Sequence, residues 1–414
     1  MNRLAAEMVG MDNDFALLIL ILGGILVITN LMRGGLKRVM MPSLAGFIVL
    51  GIIIRMVDSK AGFLTGEFLG VFDFLAEVGV IFLLFRVGLE SNLSGLRRQL
   101  KQASIIWLVN IVFSGILGYV IAYLVFGLTL IQSLFIAIAL TATSVAISVG
   151  VWHEARAIKS RTGQLLVDIA EMDDISGIFL MTILFSIAPV LKESAQVSLL
   201  PTISVLAGIS LAKFIGFSTA CIAFSRFAEQ HLTGFFKRLL PIPGQTVALA
   251  GFALIIAALA GLIGFSMAIG AFFAGLVFSR DPQAIKLETP FSVLHDFIAP
   301  FFFINIGLLI DPSTLNAMAP MLPVLLGIAI LGKVVGTSGP ALLTSNWTTA
   351  LLLGVSMVPR AEITMVIMHR GLNLGEWAVP KEVFSSMALM SLITAIIVPI
   401  LLHIMLKRWH PRKE

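Results

Sequence analysis

Two adjacent aspartates, Asp173 and Asp174, stand within residues 163–189, a stretch that otherwise has the length and composition of a membrane-crossing helix. A bare carboxylate in hydrocarbon costs about 2.5–3.5 kcal/mol on insertion scales. Two side by side therefore imply water, partners or work. At a rise of about 1.5 Å per residue, Asp174 lies roughly 16 Å beyond Gly163, near the middle of a bilayer. With a turn of about 100° per residue, Asp168, Glu171 and Asp174 share one side of that helix and Asp173 points elsewhere. A line of acids thus climbs from one surface toward Asp174, the pattern of a hydrated funnel that feeds an ion or proton site. Interfacial residues near a helix end would give Asp168 and Glu171 the same placement.

Partners of opposite or like charge occur at similar depth in other apolar runs. Lys333 lies in ILGKVVG, Arg360 and Glu362 in VSMVPRAEITMV, and Glu77 in FLAEVGVIFLLF. A lysine–aspartate pair among them can be broken by loss of a proton or by a competing cation. For Arg360 with Glu362, a structural ion pair between helices is as good a reading as contact with an ion. Arg86 and Lys213 lie nearer span ends, where long side chains snorkel to the interface. Two runs look broken. LTATSVAIS places Thr141, Thr143, Ser144 and Ser148 together, and Pro359 removes a backbone donor midway along another run. Unwound backbone at membrane depth is tolerated where it is buried in protein or lines a cavity, and its carbonyls and hydroxyls can hold a cation there. A polar helix-packing face is the other reading of the Thr/Ser cluster.

The elements that must position these residues are transmembrane helices. The chain has 414 residues, 58% hydrophobic and 12% charged, with a mean hydropathy of +1.03. Soluble domains carry about 25% charge, and runs such as LLILILGGILVI lack the alternation of a β-barrel. The expectation is an all-α polytopic membrane protein with thirteen spans, near residues 15–32, 39–57, 69–89, 104–127, 129–151, 163–189, 198–225, 243–260, 261–280, 292–310, 318–341, 348–371 and 383–406. With the N-terminus outside and the C-terminus cytoplasmic, 18 of the 28 Lys and Arg fall in inside segments and 6 outside, with Arg370 among the latter. A weak echo at an offset of 219 relates FLLFRVGLESNLSGL at 82–96 to FFFINIGLLIDPSTL at 301–315, aligning Gly88 with Gly307. GFIVLG at 46–51 likewise echoes GAFFAG at 270–275. Spans 1–6 and 8–13 then form two inverted six-helix repeats, and the two discontinuous spans, five and twelve, are repeat-mates.

The same residues narrow the function class. His153, His231 and His295 fall in inside loops and His369, His403 and His410 at or beyond span ends, so no metal-ligand spacing forms among them. No phosphate-binding loop or nucleophile–base arrangement indicates an enzyme. The charge of +5 sits in short loops and does not suggest nucleic acid, and the single Cys221 cannot form an intrachain disulfide. The sequence runs eight residues past the last expected span, so no soluble regulatory domain is expected.

Together the stretches AEVGVIFLLFRVGLE at 76–90, TATSVAISVGVWHEARAIKSRTG at 141–163, the MDD at 172–174, FFFINIGLLID at 301–311, Lys333 and MVPRAE at 357–362 resemble the monovalent cation–proton antiporters, specifically the second cation–proton antiporter family of Nha, Nap and Kef types. The likeness covers nearly the whole chain. It implies a homodimer in a bacterial inner or plasma membrane, surrounded by lipid. In each protomer, scaffold segments 1–96 and 241–315 would flank a moving core of 97–190 and 316–414, joined by a connector at 191–240, and spans five and twelve would cross unwound near the aspartates. By position Asp174 resembles the carboxylate that carries the cation and the protons, and Asp173 the one that pairs with Lys333. Thr143 and Ser144 fall in the unwound stretch. The resemblance implies no cofactor, only transported sodium or lithium (or potassium) and protons. Kef-type members commonly have Gln before the Asp and a nucleotide-binding domain; Asp173 and the short C-terminus move the reading toward electrogenic sodium–proton exchange by alternating access. A potassium antiporter of the same fold, an organic-anion symporter and an ion channel remain as alternatives. Glu77, Arg360, Glu362 and Glu171 are supporting charges.

Overall fold

Backbone in lipid must satisfy its own hydrogen bonds, so long apolar runs become helices. The structure is a computed structural model. It describes residues 2–38, 41–62, 64–90, 100–193, 199–279, 288–310 and 315–409. Among them are sixteen α-helices: α1 (Asn2–Arg38), α2 (Ser43–Ala61), α3 (Gly66–Glu90), α4 (Leu100–Val120), α5 (Leu130–Thr141), α6 (Val145–Glu154), α7 (Arg161–Glu193), α8 (Leu199–Phe227), α9 (Glu229–Leu239), α10 (Ile242–Leu262), α11 (Met267–Phe278), α12 (Glu288–Leu309), α13 (Leu315–Ala341), α14 (Trp347–Ser356), α15 (Glu362–Leu374) and α16 (Lys381–Trp409). A π-helical turn, Ile121–Val125, ends α4. Eight of the helices are long and apolar enough to cross a membrane, so the chain is an all-helical, polytopic integral membrane protein. Arg97, Arg98, Arg280, Lys286, Asp311, His410, Arg412 and Lys413, used in the charge, histidine and motif readings, lie outside the described residues.

Helix breaks fall where the sequence carries polar or proline signals. The run at 129–151 divides into α5 and α6 around residues 142–144, and the run at 348–371 into α14 and α15 around 357–361. Between α10 and α11 the chain turns through Gly264, whose φ of 92° suits glycine. The short helix α9 lies in what sequence reading treats as a loop; its amphipathic pattern, EQHLTGFFKRL, is too polar to count as a span. His295, read as a loop residue, is instead within α12, inside the span expected at 292–310, and partly buried.

Two groups of helices pack internally. In the first, α3 lies on α11 and α12, α2 on α12, and α10 on α11. Glycines set these approaches. A Cβ on Gly51 would collide with the backbone of α12 at Ile304 and Gly307, and one on Gly307 with α2 at Ile48 and Gly51. Gly88 and Gly275 make the same reciprocal approach between α3 and α11. Phenylalanines fill the adjoining layer, with ring centroids 5.4 Å apart for Phe72–Phe301 and 5.0 Å for Phe85–Phe291. In the second group α4 packs on α13, α5 and α7, α13 on α14 and α16, and α15 on α5 and α16. Gly332 and Gly336 of α13 let it approach Ser114 and Asn110 of α4.

Candidate ion site at the helix crossing

The two interrupted runs meet at their breaks. Each break strands carbonyls at one helix end and amides at the next, and the two strands serve one another. The Ser144 amide donates to the Pro359 carbonyl at 2.8 Å, and the Thr143 hydroxyl to the Met357 carbonyl at 3.3 Å. Ser148 donates to the Ser356 carbonyl at 2.6 Å, and Trp152 to the Ser356 hydroxyl at 2.9 Å. Thr364 of α15 donates to the Ala139 carbonyl of α5 at 2.9 Å.

Charged side chains complete the crossing in the sense the helix dipoles favour, cations at C-termini and anions at N-termini. Lys333 donates to the Thr141 carbonyl and Arg360 to the Ala142 carbonyl, both at the C-terminal end of α5. Glu362, the first residue of α15, accepts from the Ser144 hydroxyl at 2.6 Å. Among the described residues no ion pair joins Arg360 to Glu362. The guanidinium turns toward α5 instead, fully buried, with Nε and Nη2 lacking hydrogen-bond partners there.

The adjacent aspartates on α7 have different surroundings. Asp173 is fully buried. Its Oδ2 lies 3.1 Å from the Lys333 ammonium, and its Oδ1 accepts from Asn110 at 3.2 Å. The Asp173 carbonyl accepts from Ser176, whose hydroxyl receives the Trp107 indole N–H at 3.0 Å. Asp174 is half-buried and has no hydrogen-bond or salt-bridge partner among the described residues. The charges near enough to act on it are Asp173, Glu362, Glu171 and Lys333. One carboxylate is thus occupied, and its neighbour is held open among three other acids and one ammonium, an arrangement able to accept a small cation or a proton.

A cavity of about 480 Å³ lies between the two helix groups. Its walls include Arg33, Arg86, His295 and Asp296 on one side and Ile147, Glu154, Glu362 and His403 on the other. It reaches the crossing at Glu362. Asp168 is buried, and neither it nor Glu171 lines this cavity, whose wall beside the crossing is formed by α6 and Glu362 of α15 rather than by the acid face of α7. Glu77, on α3, is joined to Arg370 of α15 at 2.6 Å, away from the aspartates.

Sequence reading misses Asn110, Arg370 and His369. Asn110 carries a signal of the kind that marks the aspartates, a polar side chain in the apolar run IIWLVNIVF. Arg370, counted as an outside charge, is half-buried within α15. Arg86 and Lys213 do more than snorkel: Arg86 lies 3.4 Å from His295, and Lys213 donates to the Ile263 carbonyl at the end of α10.

Interrupted helices crossing over buried acids and a lysine, within an all-helical membrane fold, define a secondary transporter of small ions. The family model described as "Sodium/hydrogen exchanger, transmembrane" matches residues 18–408, and the chain belongs to that family of cation/proton antiporters. It is 29% identical over 336 residues to the high-affinity Na(+)/H(+) antiporter NhaS3 of Synechocystis sp., covering 80% of this chain and 70% of that protein. The Na(+)/H(+) antiporter of Enterococcus hirae is 27% identical, with 93% and 97% covered. Other relatives are named as potassium and ammonium antiporters. Among solved structures, the sodium proton antiporter MjNhaP1 of Methanocaldococcus jannaschii superposes with a TM-score of 0.70 at 17% identity, covering 96% of this chain and 97% of that one.

Proposed function

We propose that the protein exchanges sodium or lithium for protons, with Asp174 as the group that holds either the cation or a proton. The observation that carries this reading is the open, half-buried Asp174 beside a saturated Asp173. Hydroxyl and carbonyl oxygens of Thr143 and Ser144 supply further ligands. A cation arriving through the cavity passes Glu362, displaces the proton and is carried across when the core shifts against the scaffold; protons return by the same site. Moving an uncompensated charge through the bilayer is costly, so the core travels only when Asp174 is neutralised. With Asp173, Asp174 and Lys333 ionised the trio carries one net negative charge, which a single cation or a single proton cancels. Electrogenic exchange needs a second proton; with Lys333 as its source the cation-loaded trio keeps one net negative charge while the proton-loaded trio is neutral, and that difference is the charge moved per cycle.

This reading takes the first helix group with α1 as scaffold and the second as core, in thirteen spans with the N-terminus outside and a homodimer in a bacterial inner membrane. Exposed Phe15, Leu20 and Leu31 on α1 leave a face for lipid or a second copy. The glycine crossings support an inverted repeat. If α2 corresponds to α11 and α3 to α12, then Gly51 corresponds to Gly275 and Gly88 to Gly307, and the operation exchanges the Gly51–Gly307 approach with Gly275–Gly88.

The deciding measurement is proton flux in proteoliposomes against sodium, lithium and potassium gradients. Sodium- and lithium-driven flux is expected. Flux driven by potassium alone would transfer the same site to the potassium reading, which the potassium antiporters among the relatives favour. Current without coupled proton movement would replace antiport by a channel.

A further inference from the structure

On the cavity wall, Arg33 of α1 binds Asp296 of α12 at 2.6 Å, and Arg86 of α3 lies 3.4 Å from His295 of α12. Away from the cavity, pairing crosses between groups. Glu77 of α3 meets Arg370 of α15 at 2.6 Å and lies 4.0 Å from His369. Asp73 of α3 lies 3.6 Å from His369 and accepts from Asn305 of α12 at 3.1 Å. Among the described residues, both partners of Glu77 are on α15. The cluster is set back from the cavity along both helices. On α3, Leu83 and Arg86 of the cavity wall follow Glu77 by six and nine residues, roughly 9–14 Å of helix. On α15, Arg370 follows Glu362 by eight, roughly 12 Å.

We propose that Glu77 and Arg370, with Asp73, Asn305 and His369 around them, form a latch that holds the far side of this interface shut while the cavity side stands open. The proposal rests on the alternating-access reading above. Opening the far side requires α15 to move relative to α3, and that motion must separate Glu77 from Arg370. The pair is half-buried, with side-chain exposures of 20% and 23%, so it is screened less than a surface pair yet can be rehydrated when the helices part. Glu77 and Arg370 are positioning residues that set the balance between the two orientations and do not hold the cation.

The test reads orientation directly. In a Cys221→Ser background, Ile147→Cys places a thiol on the cavity wall, and a membrane-impermeant cationic thiol reagent is applied from the cavity side. Glu77→Gln and Arg370→Gln are each expected to slow labelling by about threefold or more, as the population shifts away from the open cavity. The exchanged pair Glu77→Arg with Arg370→Glu should recover the rate. Unchanged labelling in both single variants, with normal elution on size exclusion, would overturn the latch. Equal slowing in the exchanged pair would overturn it too, because it would mean the charges act without meeting. The readout needs no ion flux: a protein that labels as expected but exchanges no cation for protons would refute the antiport reading alone, and one that exchanges sodium with unchanged labelling would refute the latch alone.

Discussion

The two helix groups cross their helices in opposite ways. In the first, α2 meets α12 and α3 meets α11 through glycine against backbone, sealed by phenylalanine. In the second, the central crossing of α5–α6 with α14–α15 is stitched by hydroxyls, carbonyls, Lys333, Arg360 and Glu362. Close apolar packing gives a surface with one favoured geometry and no ligand groups. A polar crossing is more costly to bury but leaves oxygens and charges where an ion can use them. The difference teaches where work can be done: the glycine crossings suit a wall, and the polar crossing suits a site whose contents change.

The contrast can be attacked from the strongest effect downward. Replacing the open carboxylate, Asp174→Asn, should reduce sodium-driven proton flux in proteoliposomes to that of empty vesicles, with an unchanged elution profile; ordinary flux would remove Asp174 from the site. Lys333→Ala leaves Asp173 buried with only Asn110, and losing one member of a buried pair should cost about 3–5 kcal/mol in stability. Thermal unfolding in detergent checks this, and the double variant Asp173→Asn with Lys333→Met should regain most of the stability without regaining wild-type exchange. In the wall, Gly88→Ala drives a Cβ into the α11 backbone and should cost about 1–3 kcal/mol. Its apparent affinity for sodium should stay within error, and a large change in affinity would erase the distinction between wall and site. The smallest effect is Thr143→Ala, which removes one neutral hydrogen bond to Met357 and should lower stability by about 0.5–1.5 kcal/mol. Its sodium KM should rise more than the loss of stability alone would produce.

Much of the fold is legible because the membrane imposes a harsh local rule. Apolar runs long enough to cross become helices, and Pro359 and the Thr/Ser cluster mark the runs that break. The costly intramembrane residues Asp173, Asp174, Lys333, Arg360 and Glu362 are equally visible one at a time. Their pairing is less so. The spacing of Arg360 and Glu362 allows an ion pair, but the α5 C-terminus offers Arg360 a stranded carbonyl, and the guanidinium goes there. The acid face of α7 suggests a funnel, yet Asp168 is buried and the cavity lies along α6 and beside Glu362 of α15.

The sequence by itself therefore determines which side chains pay a penalty in lipid, and so which must find water or a partner. That penalty belongs to the residue and its immediate run. Only the tertiary structure decides which partner each one finds. Lys333 reaches Asp173 across 160 positions, Arg370 reaches Glu77 across 293, and Asn110 reaches Asp173 from a third helix. These meetings depend on crossing angles and close approaches set by Gly51, Gly88, Gly275, Gly307, Gly332 and Gly336 in concert. No single run contains that geometry, and it is what leaves Asp173 occupied and Asp174 open.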